Sequence, residues 1–416
     1  MRKLLIIITI FFITAGTSRS QEDLAGGSPY SLFGIGDLNY FTSQRTYGMG
    51  ITGVSLLGNY LNSLNPAAVT KINATTINLN FNYGFLKTSS SNAVNKLSSG
   101  NLLGINIGIP FDQGRGWVMT LGFNPYSDVD YNVKLNGNIG GQNYSQNYSG
   151  TGGLSRINLG MTYSILREIN VGLEYNYSFG QIKNENLIDF TNASYNDTRI
   201  SNQTDFQKSF LKGGVIIEVG KLLKILQLRS LTLGFVFQSG LNLNATKDGI
   251  YRSSIGVDTI RIKEGQIEIP DVLGFGITNN FGNKVIVSAD VVFQDWSNYR
   301  EYGVQREGFQ QAYRGGLGVE FLPSETNQSF WGKNAYRLGA FYENSYYKVN
   351  NESINTLGFR GGVNIPISRY NSLDFAVNYS FRGKTDNGLI KDEFLNFTAG
   401  VNFGEIWFIR PSDEDK

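Results

Sequence analysis

The sequence contains no cysteine and no histidine. Without cysteine there is no disulfide framework, no thiol nucleophile and no thiol for a lipid anchor. Without either residue, a conventional zinc site and a histidine-based triad are both excluded. No catalytic residue, metal or cofactor is assigned, and no enzymatic activity is expected. Charge is also scarce: 17% of residues are charged and the formal net charge is +2, which leaves no electrostatic footprint for nucleic acid. Proline is rare, at 8 residues, against 50 glycines, 28 phenylalanines and 23 tyrosines. That balance suits many strands and turns, not helices or a disordered chain. Only one long apolar run exists, Leu4–Ile13, behind the basic start Met1-Arg2-Lys3. It is shorter than the about 20 residues a spanning helix needs. With Ser18 and Ser20 as small residues at the cleavage positions, residues 1–20 read as a secretory signal and Gln21 as the first mature residue.

What is present is alternation. Within INATTINLNFNYGF (residues 72–85), Ile77, Leu79, Phe81, Tyr83 and Phe85 share one face, and Asn78, Asn80 and Asn82 share the other. This is the period of a strand with one apolar and one polar side. Similar segments follow from Leu102–Ile109 to Phe394–Phe403, giving fourteen strands in all. An even count of antiparallel strands is what a bacterial single-chain barrel requires. The connections point the same way. Compact turns such as FDQGRG, LREIN and SRYNS alternate with longer polar stretches at 125–153, 183–205 and 244–261. An up-and-down membrane barrel, with short periplasmic turns and long outer loops, sorts its connections by parity in this manner. The ten residues KLLKILQLRS break the pattern and read as a small amphipathic periplasmic helix.

The expected fold is therefore all-β: a transmembrane antiparallel β-barrel of about fourteen strands over residues 74–408, integral to the outer membrane of a Gram-negative cell. Residues 21–73 lack alternation, yet are too apolar for a disordered tail, and read as a hatch folded into the lumen as a plug. Residues 409–416 read as a periplasmic tail.

Three consecutive strands repeat a small motif: YRGGLGVEF (313–321), YRLGAFYEN (336–344) and FRGGVNIPI (359–367). Each places an arginine (Arg314, Arg337, Arg360) on the inward face, two residues before an inward glycine. Glu320 and Glu343 lie on the same faces, and Asp290 faces inward on an earlier strand. An arginine facing lipid at mid-depth costs roughly 2–4 kcal/mol, so these charges are expected to form a polar ladder in the lumen. The ladder reads either as a guide for substrate or as a structural network, and buried charge needs partners before it needs a ligand. Trp296 reads as an interfacial anchor at an outer strand end.

Asn65-Pro66-Ala67 ahead of the first strand, Pro270 before Gly274 and Gly276, and Asp290 followed by Trp296-Ser297 resemble, in order and spacing, the FadL/TodX family of outer-membrane transporters for hydrophobic molecules. The resemblance implies a fourteen-stranded barrel with Asn65, Pro66 and Ala67 in its hatch. It also implies uptake of fatty-acid-like or aromatic compounds through an extracellular apolar groove and a lateral opening. Under that reading, Phe33, Ile35, Tyr47 and Met49 would line a ligand pocket between hatch and wall. SPYSLFGIGDL (28–38) and RTYGMGITGVSL (45–56) are similar to the start of FadL-related barrels of Bacteroidota. Some of those, such as PorV of type IX secretion, are not transporters, and others are accessory parts of outer-membrane assembly machines. Two functions stay open: passive uptake of a small hydrophobic compound, or a non-transporting subunit of an outer-membrane complex. The expected partners are outer-membrane lipid and lipopolysaccharide, together with a hydrophobic ligand in the first case and protein partners in the second.

Overall fold

The computed structural model describes residues 24–41, 43–139, 142–190, 198–253, 256–282, 284–324 and 329–407. The signal segment 1–20 and the tail 409–416 lie outside these. Fourteen antiparallel strands close into a barrel in sequence order. They are β1 (Thr75–Ser89), β2 (Val94–Asp112), β3 (Trp117–Ile139), β4 (Gln142–Leu166), β5 (Ile169–Phe190) and β6 (Thr198–Glu218). Next come β7 (Leu231–Gln238, continued by Leu241–Ser253), β8 (Gly256–Ile269, continued by Val272–Phe281) and β9 (Val285–Asp295). The wall ends with β10 (Gln311–Phe321), β11 (Ala335–Val349), β12 (Glu352–Pro366), β13 (Ser372–Gly383) and β14 (Lys391–Glu405). Pairing of β14 with β1, from Lys391↔Ser89 to Glu405↔Thr75, closes the cylinder. No described helix is long and apolar enough to cross a membrane.

Alternation sorts the wall as its sequence implies. Along β5, Leu173, Tyr175 and Tyr177 are exposed, whereas Glu174, Asn176 and Ser178 are buried. Along β13, Phe375, Val377 and Tyr379 are exposed while Asp374, Asn378 and Ser380 are buried. An apolar band around the full circumference, with polar groups buried inside, is the pattern of a lipid-facing barrel.

The described residues of the three long polar connections are strands and not loops. β3 and β4 remain paired out to Ile139↔Gln142, β5 and β6 out to Ile188↔Thr198, and β7 and β8 out to Ser253↔Gly256. Their Asn-, Ser- and Gly-rich sequences hide the strand because, beyond the membrane, both faces of a hairpin tolerate polar residues and the apolar period disappears. The ladder hydrogen bonds do not depend on that period.

These extensions bend over the mouth of the barrel, and irregularities in the strands set the bend. In β7, Leu233, Phe235 and Phe237 face outward, but after Ser239-Gly240 the odd-numbered Leu241, Leu243 and Ala245 are buried. In β8 the exchange happens at Pro270-Asp271, between buried Ile267 and Ile269 and exposed Leu273 and Phe275. In β3 it happens at the register shift between Pro125 and Ser127. Each irregularity swaps the side on which the apolar residues lie. Below it they meet lipid; above it they meet one another. The result is a capping core that joins Tyr131, Phe206, Leu243, Ile267, Tyr346 and Ile354, among others. Trp296 belongs to this core. It is fully buried and stacks on Tyr346 at 4.3 Å, so it is not an interfacial anchor.

Candidate functional site

The site is the contact between residues 24–74 and the polar inner face of the wall. Its starting point is a set of inward-facing glycines. A Cβ at Gly339 would stand 1.8 Å from the Met49 carbonyl oxygen, and one at Gly214 would stand 1.9 Å from Asn65 Oδ1. The wall thus omits side chains where the N-terminal backbone lies against it. Gly339→Ala should cost about 1–3 kcal/mol, since the contacted atom is backbone and cannot swing away. Gly361→Ala, whose added Cβ meets nothing nearer than 3.6 Å, should be close to neutral. Thermal unfolding of both variants, read from heat-modifiable gel mobility, checks the contrast.

Asp290 supplies the anchor in the middle of the segment. Its carboxylate accepts from the backbone N–H groups of Thr52 (3.0 and 3.1 Å), Gly53 (2.6 Å) and Val54 (3.2 Å). Three successive N–H groups converging on one carboxylate are a turn shaped around an anion. Asn65, Pro66 and Ala67 form the next anchor. Asn65 Oδ1 caps the short helical turn Pro66–Lys71 by accepting from Ala67 N at 3.0 Å. Its Nδ2 donates to the Val54 carbonyl at 2.6 Å and, on the wall, to the Phe235 carbonyl at 3.3 Å. All three residues of this motif are buried.

The arginine ladder is a chain of shared carboxylates. Arg45, from the N-terminal segment, donates to Glu320 Oε2 through Nε (2.9 Å) and Nη2 (2.6 Å). Arg337 Nε donates to Glu320 Oε1 at 2.8 Å, and its Nη1 donates to Asp374. Asn402 continues the chain from Asp374 to Asn78. Arg314 is paired with Glu343. Arg360 donates to Asn378, and its guanidinium packs over Phe41, Tyr47 and Phe341 at 4.0, 3.9 and 4.4 Å. Asn78, Asn80 and Asn82 form amide contacts along the wall, Asn78 with Asn80 and Asn402, Asn82 with Asn101. Burial raises the Tyr60 hydroxyl above its usual phenol range, with Arg45 pulling the other way.

Two charged clusters escaped the sequence reading. Lys212 Nζ donates to Glu174 (2.9 Å) and to the Ser63 carbonyl (2.7 Å), with both side chains buried. Arg382 holds Asp37 of the N-terminal segment at 2.7 Å and Asp392 of β14 at 3.2 Å. The available signal was an inward-facing charge, already visible at Glu174; its partner on the neighbouring strand follows from the register Glu174↔Lys212.

The four residues expected to line a pocket are not brought together. Ile35 and Phe33 join the capping core, Met49 packs with Ile51, Leu56 and Ile286, and Tyr47 packs with Phe41 and Ala376. Ile35 and Met49 have no exposed surface. For Met49 the reason is the close backbone approach at the inward Gly318 and Gly339, while Phe33 and Ile35 are taken up by the capping core.

The wall parts at one position among its described residues. β2 and β3 pair only from Ile105↔Phe123 to Asp112↔Trp117. Beyond that, β2 pairs with Leu24–Ala25 and β3 with Asp37–Leu38. Asn39 N donates to the Tyr126 carbonyl at 3.0 Å, and the Ser31 hydroxyl bridges the backbone of Asp130. Residues 24–38 thus complete the sheet where two wall strands separate.

A family model, BamG, matches residues 1–412 of this sequence. The chain belongs to the BamG family. No curated protein matches it. Among solved structures, this BamG chain is similar to a Pseudomonas aeruginosa FadL homologue (TM-score 0.60, 11% identity, 87% of this chain and 98% of the other). It is also similar to the Ralstonia pickettii toluene transporter TbuX (TM-score 0.57, 14% identity, 88% and 98%). A third likeness is to the P. putida toluene transporter TodX (TM-score 0.54, 14% identity, 90% and 100%). At such identities the likeness establishes the fold alone: the chain is a fourteen-stranded antiparallel β-barrel of the FadL type.

Proposed function

We propose that this chain is a closed accessory subunit of an outer-membrane complex, its lumen plugged by residues 24–73. The observation that supports this reading is the parting of β2 from β3, which is filled by the chain's own residues 24–38. A lateral path would run there, and the same segment hydrogen-bonds to both of its edges. The capping core over the mouth and the ion pairs of Arg45 and Asp37 work in the same direction. A second reading, passage of a small hydrophobic compound, is favoured by the fold shared with toluene transporters.

Reconstituted full-length protein should take up neither toluene nor a fluorescent fatty acid faster than protein-free liposomes. A tagged copy extracted in mild detergent should stay in a stoichiometric complex. Uptake above background by a lone barrel would overturn the proposal in favour of passage. Deleting residues 24–38 should open the wall and give stepwise ion conductance in planar bilayers, where the full chain gives none.

A further inference from the structure

We propose that the six short turns form a basic and apolar collar that binds anionic headgroups of the adjoining lipid leaflet. The turns at this end join β2 to β3, β4 to β5, β6 to β7, β8 to β9, β10 to β11 and β12 to β13. Every one of them carries an exposed cation. Arg115, Arg167, Lys284, Lys333 and Arg369 occupy one turn each. The longest turn, Val219–Ser230, carries Lys221, Lys224 and Arg229. Three carboxylates, Asp112, Glu168 and Glu218, stand among the described residues of these turns and the strand ends beside them.

Every turn also exposes a large apolar side chain beside its cation: Phe111, Leu166, Leu226, Phe281, Trp331 and Ile367. Leu226 and Trp331 are the extremes, at 77% and 71% exposure. In water such surface is unfavourable, and it is continuous with the lipid-facing band through Leu233 and Phe235 just above the longest turn. A cation within a few residues of a buried apolar anchor is the chemistry of the headgroup layer, where the stem lies along acyl chains and the charge reaches phosphate.

The choice of lipid over a protein partner rests on the repetition. A protein would cover one sector of the rim, whereas only a leaflet touches all six turns. At the opposite end of the barrel several exposed charges pair with one another, as in Lys183–Glu185, Arg261–Asp248, Arg306–Glu301 and Lys384–Glu352, beside exposed cations such as Lys96, Lys134 and Lys348. Among the described residues, the collar cations other than Lys221, which bridges Glu218, form no ion pair and are open to an external anion.

Tryptophan placement supplies the test. Trp117, Trp331 and Trp407 are exposed at the collar end, and Trp296 is buried in the capping core. The full chain carrying W117F and W407F, reconstituted in phosphatidylcholine vesicles, leaves Trp331 as its exposed reporter. Brominated phosphatidylglycerol should quench it with about three- to five-fold higher relative affinity than brominated phosphatidylcholine. The triple change K284Q, K333Q and R369Q, on this turn and its two neighbours, should bring the ratio to about one. Raising salt on the unsubstituted collar should do the same without any mutation. Equal quenching by the two lipids, or a ratio that survives the triple change and salt, overturns the proposal. So does the absence of quenching by either lipid, which would place the turn in water or against protein.

Discussion

Asp290→Ala loosens the N-terminal segment against the wall: the variant is expected to conduct ions weakly, where the parent is silent, and to unfold at markedly lower temperature than the parent. The three backbone N–H groups of Thr52, Gly53 and Val54 all point at this carboxylate, which is buried. Alanine leaves them without an acceptor in a space that a Gly53 turn has already shaped. Each orphaned buried donor costs roughly 1–3 kcal/mol, so for three donors a loss of about 3–9 kcal/mol is expected before water enters. Water does enter, and its entry is the functional signal, since the same turn packs Val54 and Ser55 against inward glycines of β7 and β8. Asp290→Asn separates charge from acceptor count: it keeps one oxygen and should lose about a third to a half of that energy. Conductance in planar bilayers and the midpoint of heat-modifiable mobility measure the two effects. An Asp290→Ala barrel as silent and as stable as the parent would mean that this turn does not hold the segment in place.

The same reading explains which parts of the fold the sequence displays openly. Lipid contact is legible because it acts on one side of each strand. Ile77, Phe81 and Tyr83 need an apolar medium, Asn78 and Asn80 do not, and the period of two follows directly. The inward arginines were legible for the complementary reason: charge has no place against acyl chains. Their partners were less so, because Glu320, Asp374 and Glu174 are joined to Arg45, Arg337 and Lys212 by register and by a segment far away in sequence. Least legible was the capping core. Leu241 and Leu243 continue the odd-numbered alternation of Leu233 to Phe237 without a break, yet they face the opposite medium. The irregularity at Ser239-Gly240 and its counterpart at Pro270-Asp271 carry that inversion, and periodicity counts cannot see a change of side. Trp296 misled in a related way. A tryptophan at a strand end suits a membrane interface, but here the hairpins of β3 to β8 arch over it and seal it against Tyr346. The four residues expected to line a pocket are dispersed for a further reason. Glycines at 234, 316, 318 and 339 imply backbone contact and hence little free volume, a reading available from their inward phase but pointing away from a ligand.

Glu320→Ala tests the second point of attachment. Glu320 is the only carboxylate that Arg45 contacts among the described residues, whereas Arg337 keeps Asp374 as a second partner. Removing the glutamate therefore strands Arg45 more than Arg337. Breaking a buried ion pair from one side costs about 3–5 kcal/mol, because the remaining charge stays desolvated. Arg45 retains the Tyr60 ring at 4.8 Å and a long contact to the Leu57 carbonyl, which together do not neutralise it. The paired variant Arg45→Met with Glu320→Gln removes both charges while leaving Arg337 on Asp374, and should recover most of the stability lost by Glu320→Ala. A double-mutant cycle of Arg45→Met and Glu320→Gln on chemical denaturation should give a coupling of about 1–3 kcal/mol, the range for pairs within one network. Coupling within error of zero would assign the stability to packing of residues 43–49 alone. Conductance discriminates further. If Arg45 holds the segment closed over β10 and β11 while Asp290 holds it over β9, the two single variants should each leak only slightly, and combining them should leak far more than the sum. Two independent anchors on one segment behave in that way, because release of either leaves the other to hold the chain at high effective concentration.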